Sequence, residues 1–112
     1  APALRTTRLK SLDLSSNHAF PDGIKAISDS LVACPTLVEL NLADNRLCGV
    51  WIDQSGQYGL YSEEAIRSLA HAITRMPALT RIDVSSNYLS QKDVKKLSHA
   101  NLRMAAPIEL HL

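Results

Sequence analysis

Aromatic rings are scarce in this chain, and they cannot form the centre of its core. Only five of the 112 residues are aromatic, and glycine occurs four times. A core built around buried rings is excluded, so the core must be aliphatic. Leucine, with 17 residues, and alanine, with 13, supply it. The length allows one core, so we predict a single domain over residues 1–112.

An excess of charge of one sign is also missing. The 12 basic residues are matched by 11 acidic ones, which leaves a net charge of +1. Proteins that bind nucleic acid in bulk are strongly basic, so we predict no nucleic-acid partner. No apolar run approaches the roughly 18 residues that cross a bilayer, which predicts no membrane partner. Residues 1–5 show no signal-peptide pattern.

Cysteine is rare too. Cys34 and Cys48 are the two in the chain, and no metal-like cluster of histidine and cysteine flanks them. We expect them to be reduced, half-buried small residues, which favours an intracellular, cytoplasmic protein. A disulfide between them stays open, because spacing alone does not define the required geometry.

The chain does contain a repeat. Each copy places aliphatic residues at fixed positions, and the first three copies continue to an asparagine. The copies are Leu9-x-x-Leu12-x-Leu14-x-x-Asn17, Leu37-x-x-Leu40-x-Leu42-x-x-Asn45-x-Leu47, Leu79-x-x-Ile82-x-Val84-x-x-Asn87-x-Leu89, and Pro107-x-x-Leu110-x-Leu112. They start near residues 9, 37, 79 and 107, so their spacings are 28, 42 and 28. A fixed period of this size is typical of stacked units that bury their apolar strips against each other.

The segments between the copies have helical periodicity. Their apolar residues recur at i, i+3 and i+7, which is one face of a helix. The stripes are Ile24, Ile27 and Leu31; Ile66, Leu69 and Ile73; and Val94 and Leu97. Each unit is therefore predicted to be a strand, an asparagine-bearing turn, a helix and a return.

Residues that start and stop helices support the same three segments. Pro35 and Pro77 follow the first two stripes, where proline ends a helix. We expect Ser62 to cap the second helix, and Ser90 together with Asp93 to cap the third. We expect residues 21–23 to form a turn before the first helix.

The LxxLxLxxNxL pattern with its 28-residue period resembles leucine-rich repeats, specifically the ribonuclease-inhibitor-like class. The resemblance covers residues 9–112. It implies an α/β solenoid, a right-handed β-α superhelix with about four parallel strands on the concave side and three helices on the convex side. It also implies an intracellular protein that binds other proteins. An insertion at residues 48–61 departs from the plain class and resembles a repeat variant of algal and protist arrays.

No polar capping unit precedes Leu9, and the fourth copy stops before its turn. Capping units normally keep such arrays soluble. We therefore expect a fragment of a longer array, or ends that a partner or a second copy covers. The second possibility is a structural or assembly subunit that docks, or self-associates, through its uncapped ends, residues 9–14 and 107–112.

The solvent-facing strand positions are the first candidate binding surface. Neighbouring parallel strands lie about 4.8 Å apart. Arg81 should therefore lie between Glu39 and Glu109 and partly neutralise them. The aspartates of this region have no evident basic partner, so the face is mildly acidic and suits a basic segment of a partner protein. The alternative is an ordinary solvated face. The candidate partner-binding residues here are Asp13, Glu39, Asn41, Arg81 and Asp83.

The insertion is the second candidate surface. It contains three of the five aromatic residues, Trp51, Tyr58 and Tyr61. Loops on a rigid scaffold often bind partners, and Trp and Tyr are preferred interface anchors. Alternatively, Trp51 and Tyr61 fold back and cover the base of the loop. The asparagine column is expected to be structural, since turns need such amide partners.

The remaining polar residues match no complete catalytic or metal-binding motif. Asp53, Ser55 and Gln57 resemble part of a calcium loop but lack its glycine and carboxylates. Lys92, Lys95 and Lys96 form either a basic docking patch or a solvated helix face. No nucleophile–base set or metal-ligand spacing is present, so we predict no enzyme, no metal and no cofactor.

Overall fold

The computed structural model describes residues 9–18, 21–104 and 106–112. The first eight residues of the predicted domain lie outside these ranges. The elements in chain order are β1 (Ser11–Asp13), α1 (Pro21–Val32), β2 (Glu39–Asn41), β3 (Val50–Asp53), β4 (Gly56–Gly59), α2 (Glu64–Ile73), β5 (Arg81–Asp83), α3 (Gln91–Leu102) and β6 (Glu109–His111).

Four of the strands form the predicted parallel sheet, in the order β1-β2-β5-β6. The register aligns the same position of every repeat. The central residues Leu12, Leu40, Ile82 and Leu110 are therefore paired from strand to strand. Leu40 and Ile82 are buried, and the outer two are half-buried. The 28-residue period and its 42-residue extension thus predict the register correctly.

The three helices form the second layer. α1 packs against α2, and α2 packs against α3. Their buried apolar residues belong to the same core cluster as the inward residues of the strands, as the repeat pattern predicts. In α3 the apolar stripe is shorter. Near the end of this helix, the Asn101 side chain fixes the segment that follows: its Oδ1 accepts from Ile108 N at 2.7 Å, and its Nδ2 donates to Ile108 O at 3.0 Å.

Two predicted helix starts are wrong, and one is correct. Residues 21–23 are the first turn of α1 rather than a preceding turn, because proline is compatible with the first helical position. The N-cap of α2 is Glu63, not Ser62, although Ser62 Oγ still accepts from Glu64 N at 3.3 Å. Ser90 caps α3 as expected, in a reciprocal capping box with Asp93.

The asparagine column is an internal ladder. Asn45 and Asn87 are buried, while Asn17 in the first repeat is exposed. Asn45 Oδ1 accepts from Asn17 N at 3.0 Å, and Asn87 Oδ1 accepts from Asn45 N at 3.1 Å. Both buried amides donate to Leu42 O. The ladder satisfies turn backbone groups inside the stack, which confirms its structural role.

The insertion is more regular than the loop that we expected. β3 and β4 pair antiparallel as a two-stranded hairpin, with Trp51 opposite Tyr58. Cys34 and Cys48 are free, and both are fully buried rather than half-buried.

No helix in the described part of the chain has the length and apolar character needed to cross a membrane.

Candidate functional site

The exposed face of the sheet, here called the sheet face, consists of two columns of side chains. The strand register places them as predicted. One column is Ser11, Glu39, Arg81 and Glu109, and the other is Asp13, Asn41, Asp83 and His111.

Arg81 neutralises only one of its two acidic neighbours by direct contact. Its Nε lies 3.2 Å from Glu109 Oε2. Glu109 Oε1 also lies 3.2 Å from His111 Nε2. Within residues 9–18, 21–104 and 106–112, no ion pair to Glu39 is formed. Arg81 thus lies between Glu39 and Glu109 as predicted, but its direct contact is with Glu109, and Glu39 is exposed.

The polar residues at the strand ends also have a structural role that we did not predict. Asp13 Oδ1 accepts from Ser15 N at 2.9 Å, and Asp83 Oδ1 accepts from Ser85 N at 2.9 Å. Asn41 Oδ1 accepts from Ala43 N at 2.9 Å in the second repeat. Such bonds from a side chain to the backbone two residues later stabilise turns. These three side chains therefore hold the chain where it leaves the sheet.

The same contacts lower the pKa values of Asp13 and Asp83. Hydrogen bonds from the Ser15 hydroxyl and backbone lower the pKa of Asp13. At Asp83 burial alone would raise the pKa, but hydrogen bonds from Ser85 and the nearby His111 and Arg81 lower it overall. The expectation that Asp83 has no basic neighbour is therefore wrong. Both carboxylates stay ionised, so the sheet face remains acidic around Glu39.

Both ends of the hairpin are bonded to one buried carboxylate on α3. Tyr61 OH donates to Asp93 Oδ1 at 2.6 Å, and Cys48 Sγ donates to Asp93 Oδ2 at 3.2 Å. The chain closes beneath the hairpin, where Ser62 N donates to Cys48 O at 2.8 Å. Asp93 is only 1% exposed. Sequence reasoning identified Asp93 as part of a cap but missed this link, because Cys48 and Asp93 are 45 residues apart.

These contacts determine the protonation states of Asp93, Cys48 and Tyr61. Burial would raise the pKa of Asp93, but the hydrogen bonds from Tyr61, Ser90 and Cys48 outweigh it and lower the pKa. Burial and the adjacent carboxylate raise the pKa of the Cys48 thiol far above its ordinary value. The same causes raise the pKa of Tyr61 to about 12. The cluster therefore holds one negative charge, with neutral sulfur and phenol donors.

The aromatic rings of the insertion are partly packed and partly exposed to solvent. Trp51 is half-buried and stacks on Tyr58, with ring centroids 5.8 Å apart and planes at 22°. Arg46 Cζ lies 4.0 Å from the centroid of the Trp51 ring, a cation–π contact. Tyr61 uses its hydroxyl for Asp93 but leaves 47% of its surface exposed.

Two further exposed apolar side chains lie on or beside the hairpin. Ile52 is 49% exposed, and Leu60 is 88% exposed. The sequence-based prediction named only aromatic residues of the insertion, so it missed these two aliphatic ones. Tyr88 OH donates to Ile52 O at 3.0 Å, so the hairpin also rests on the turn after β5.

A cleft of about 240 Å³ separates the hairpin from the turns that follow the strands. It brings Asp44 of the second repeat close to Trp51 and Asp53 of the hairpin. The cleft therefore lies between the hairpin and the turns that follow the strands of the sheet. Within the described ranges, no three His, Cys, Asp or Glu residues are grouped so that they could hold a metal ion.

Comparison with known proteins agrees with this arrangement. The Leucine Rich repeat family matches residues 7–28 and 33–47, which contain the first two copies of the motif. The chain is a leucine-rich repeat protein. Such domains generally mediate protein–protein interaction and are typically not catalytic.

The similar proteins are much longer than this chain. Protein NLRC5 of Mus musculus is 30% identical over 101 residues, an alignment that covers 81% of this chain and 5% of the relative. Baculoviral IAP repeat-containing proteins 1g and 1f of Mus musculus are each 26% identical over 97 residues, covering 86% of this chain and 6% of the relative. The chain thus spans only a small part of the length of these relatives.

Proposed function

We propose that the chain binds a partner protein through the sheet face together with the insertion hairpin, without catalysis. The observation that carries the proposal is the exposure of large apolar side chains on an ordered hairpin. Ile52, Tyr58 and Leu60 are 49%, 40% and 88% exposed. Tyr58 shares one face of the hairpin with Trp51, and Ile52 lies on the other face. Several large exposed apolar side chains within one short segment favour a binding site, whereas single ones are ordinary.

The attachment of the hairpin supports this role. Asp93 holds both ends of the insertion, and Tyr88 supports its first strand. A surface that is already ordered loses less conformational entropy when it binds a partner. Tyr58 is a suitable anchor because it combines a large ring with a polar hydroxyl.

The sheet face supplies charge beside the hairpin. Asp13 and Asp83 stay ionised, and Glu39 lacks an ion pair within the described ranges. We propose that the four-stranded sheet is the concave side of a right-handed β-α solenoid and that it contacts a basic segment of the partner. The partner-binding residues are Asp13, Glu39, Asn41, Arg81 and Asp83 on the sheet face, and Trp51, Tyr58 and Tyr61 on the insertion.

The test starts from a random peptide library displayed on phage and selected on the purified chain. Selected peptides should be rich in Lys and Arg and contain an apolar anchor. Their affinity should fall at least about ten-fold with Tyr58→Ala, since buried Tyr anchors contribute about 2 kcal/mol or more. Glu39→Gln should slow their association.

Leu102→Ala is the matched control, because Leu102 is 75% exposed at the end of α3, away from both surfaces. Asp83→Asn is a further variant that removes the charge of this residue, while its amide oxygen can still accept from Ser85 N and keep the turn. Unchanged affinity of the selected peptides for both Tyr58→Ala and Glu39→Gln would contradict the proposed site.

A second candidate function is that of an assembly subunit. β1 and β6 are the edges of the sheet, and Leu9, Leu12, Leu14 and Leu110 at these edges are only partly buried. Edge strands and half-covered leucines can pair with another chain or another repeat. Sedimentation distinguishes the two functions, because a monomer at micromolar concentration contradicts self-association through these edges.

The repeat starts at 9, 37, 79 and 107, the insertion at 48–61 and the intracellular location stay predictions. Limited proteolysis tests the repeat boundaries, since cuts should fall in the returns between units rather than in the strands.

A further inference from the structure

A groove of about 480 Å³ runs between α2 and α3, on the helical layer of the molecule. Neither the sheet face nor the hairpin contributes to it. Most of its lining side chains are basic. They are Arg67, His71, Lys92, Lys95, Lys96 and Arg103, with His99 between the last two.

The positions of these residues along the two helices explain the groove. Residues 67 and 71 of α2 and its C-cap residue 74 recur at helical spacing, and residues 92, 96 and 99 of α3 and its C-cap residue 103 do the same. Ala70 and Ala100 also line the groove, and their short side chains keep it open. At 1.5 Å per residue, the lining of each helix extends over roughly 10 to 17 Å.

The charge of the groove differs from that of the rest of the chain. Arg67, Lys92, Lys95, Lys96 and Arg103 give five formal positive charges, and none of the lining residues is acidic. The whole chain has a net charge of +1, so everything outside the groove carries a net charge of −4. The positive charge is therefore concentrated on one surface.

Only one end of the groove is neutralised by a neighbouring acid. Glu63 forms salt bridges with Lys92, at 2.8 Å, and with Arg67. Within the part of the chain that the structure describes, Lys95, Lys96 and Arg103 take part in no ion pair. Grouping these unpaired cations along a recess costs electrostatic free energy, which a bound anionic ligand would relieve.

We propose that this groove binds an acidic peptide segment of a partner protein in extended conformation. About three to five extended residues, at about 3.3 Å each, span the length of the lining. Alternate carboxylates of such a segment can reach the lysines of α3 and the Arg67 and His71 side of α2.

This surface is separate from the proposed binding site and opposite to it in charge. The acidic sheet face prefers basic partners, and the helical groove prefers acidic ones. Changes at Glu39 or Tyr58 should therefore leave binding of an acidic peptide intact. The two proposals can fail independently.

The experiment measures fluorescence anisotropy of a labelled peptide of alternating Asp and Glu flanked by glycines. Lys95→Glu combined with Lys96→Glu should weaken binding at least about ten-fold, because attraction becomes repulsion inside the recess. The control is Lys10→Glu combined with Lys25→Glu, which changes the net charge equally on exposed residues outside the groove. The control should stay within about two-fold of the parent at physiological salt, where charges beyond about 8 Å are screened.

Lys95→Gln combined with Lys96→Gln provides a milder variant if charge reversal disturbs folding, and it should lower the affinity by a smaller factor. Equal affinity of the groove and control variants overturns the proposal. So does binding of a Gly–Ser peptide as tight as that of the acidic one. Binding of polyphosphate, single-stranded RNA or phosphatidylserine vesicles with no binding of the acidic peptide also overturns it, since the groove would then serve another class of ligand.

Discussion

At the scale of single residues, Asp93 joins the insertion to the repeats. It is buried with its charge and accepts four hydrogen bonds, from Tyr61 OH, Cys48 Sγ, Ser90 N and Ser90 Oγ. A buried carboxylate is stable only when its oxygens are bonded in this way. The hairpin therefore depends on a residue that lies 40 positions beyond its first strand.

We predict that Asp93→Asn lowers the free energy of unfolding by roughly 2–4 kcal/mol, because an amide cannot accept from donors on both sides. Urea denaturation measures the loss. Asp29→Asn is the control, since Asp29 is exposed on α1. Thiol labelling resolved by peptide mass adds a local readout. Cys48 should label faster in Asp93→Asn, and an unchanged labelling rate would contradict the anchoring role.

At the scale of elements, the insertion hairpin depends on the close approach of Gly59 to the Gly49 carbonyl and the Trp51 ring. Gly59 has a φ of +86° and lies opposite Val50. A Cβ at this position would overlap the carbonyl oxygen of Gly49 and lie 2.9 Å from Trp51 Cζ3. Only glycine fits both the conformation and the space.

We predict that Gly59→Ala disorders the hairpin and lowers the free energy of unfolding by about 1–3 kcal/mol. Trp51 emission should shift towards that of a solvated ring, because its contacts with Tyr58 and Arg46 are lost. Gly23→Ala is the matched control, since nothing lies within 4 Å of its Cβ and the residue is in helix α1. That change should stabilise the chain by roughly 0.5–1 kcal/mol. Unaltered Trp51 emission in Gly59→Ala would refute the packing argument.

At the scale of the whole molecule, acid should weaken the fold through several carboxylates at once. The pKa values of Asp13, Asp83 and Asp93 are all lowered in the folded chain from the ordinary 3.8. A lowered folded-state pKa adds stability above the unfolded pKa, and that stability is lost as the pH falls through the folded pKa.

We therefore predict a melting temperature that is nearly constant near neutral pH and falls as the pH drops from about 5 towards 2. Asp93→Asn should flatten this fall, because it removes the most buried of the three carboxylates. Asp29→Asn again serves as the control. Melting curves followed by circular dichroism give the melting temperature at each pH. A melting temperature that rises on acidification would contradict the prediction.

The regular part of the fold was predictable from local patterns. Leu40 and Ile82 could be placed opposite each other because they hold the same position in successive repeats. The amide ladder of Asn45 and Asn87 followed for the same reason. Each repeat buries its strip only against the next, so a repeated pattern implies a repeated geometry.

The candidate site was less predictable, since it lies where the repeat is interrupted. The aromatic residues of the insertion were visible, but the hairpin, the stacking of Trp51 under Arg46 and the exposure of Leu60 were not. On the sheet face, the neighbours of Arg81 were predicted, but its pairing with Glu109 alone was not. These outcomes depend on side-chain conformations and on contacts between different repeats.

The four parallel strands, their register, the three helices and the aliphatic core were predictable from the amino-acid pattern, because each follows from a local period. The scarcity of aromatic rings likewise implied that they do not build that core. The anchoring of the insertion by Asp93 and the groove lined by basic side chains of α2 and α3 became visible only in the folded chain. These features bring together residues tens of positions apart, and their charges and hydrogen bonds become defined only when the repeats stack.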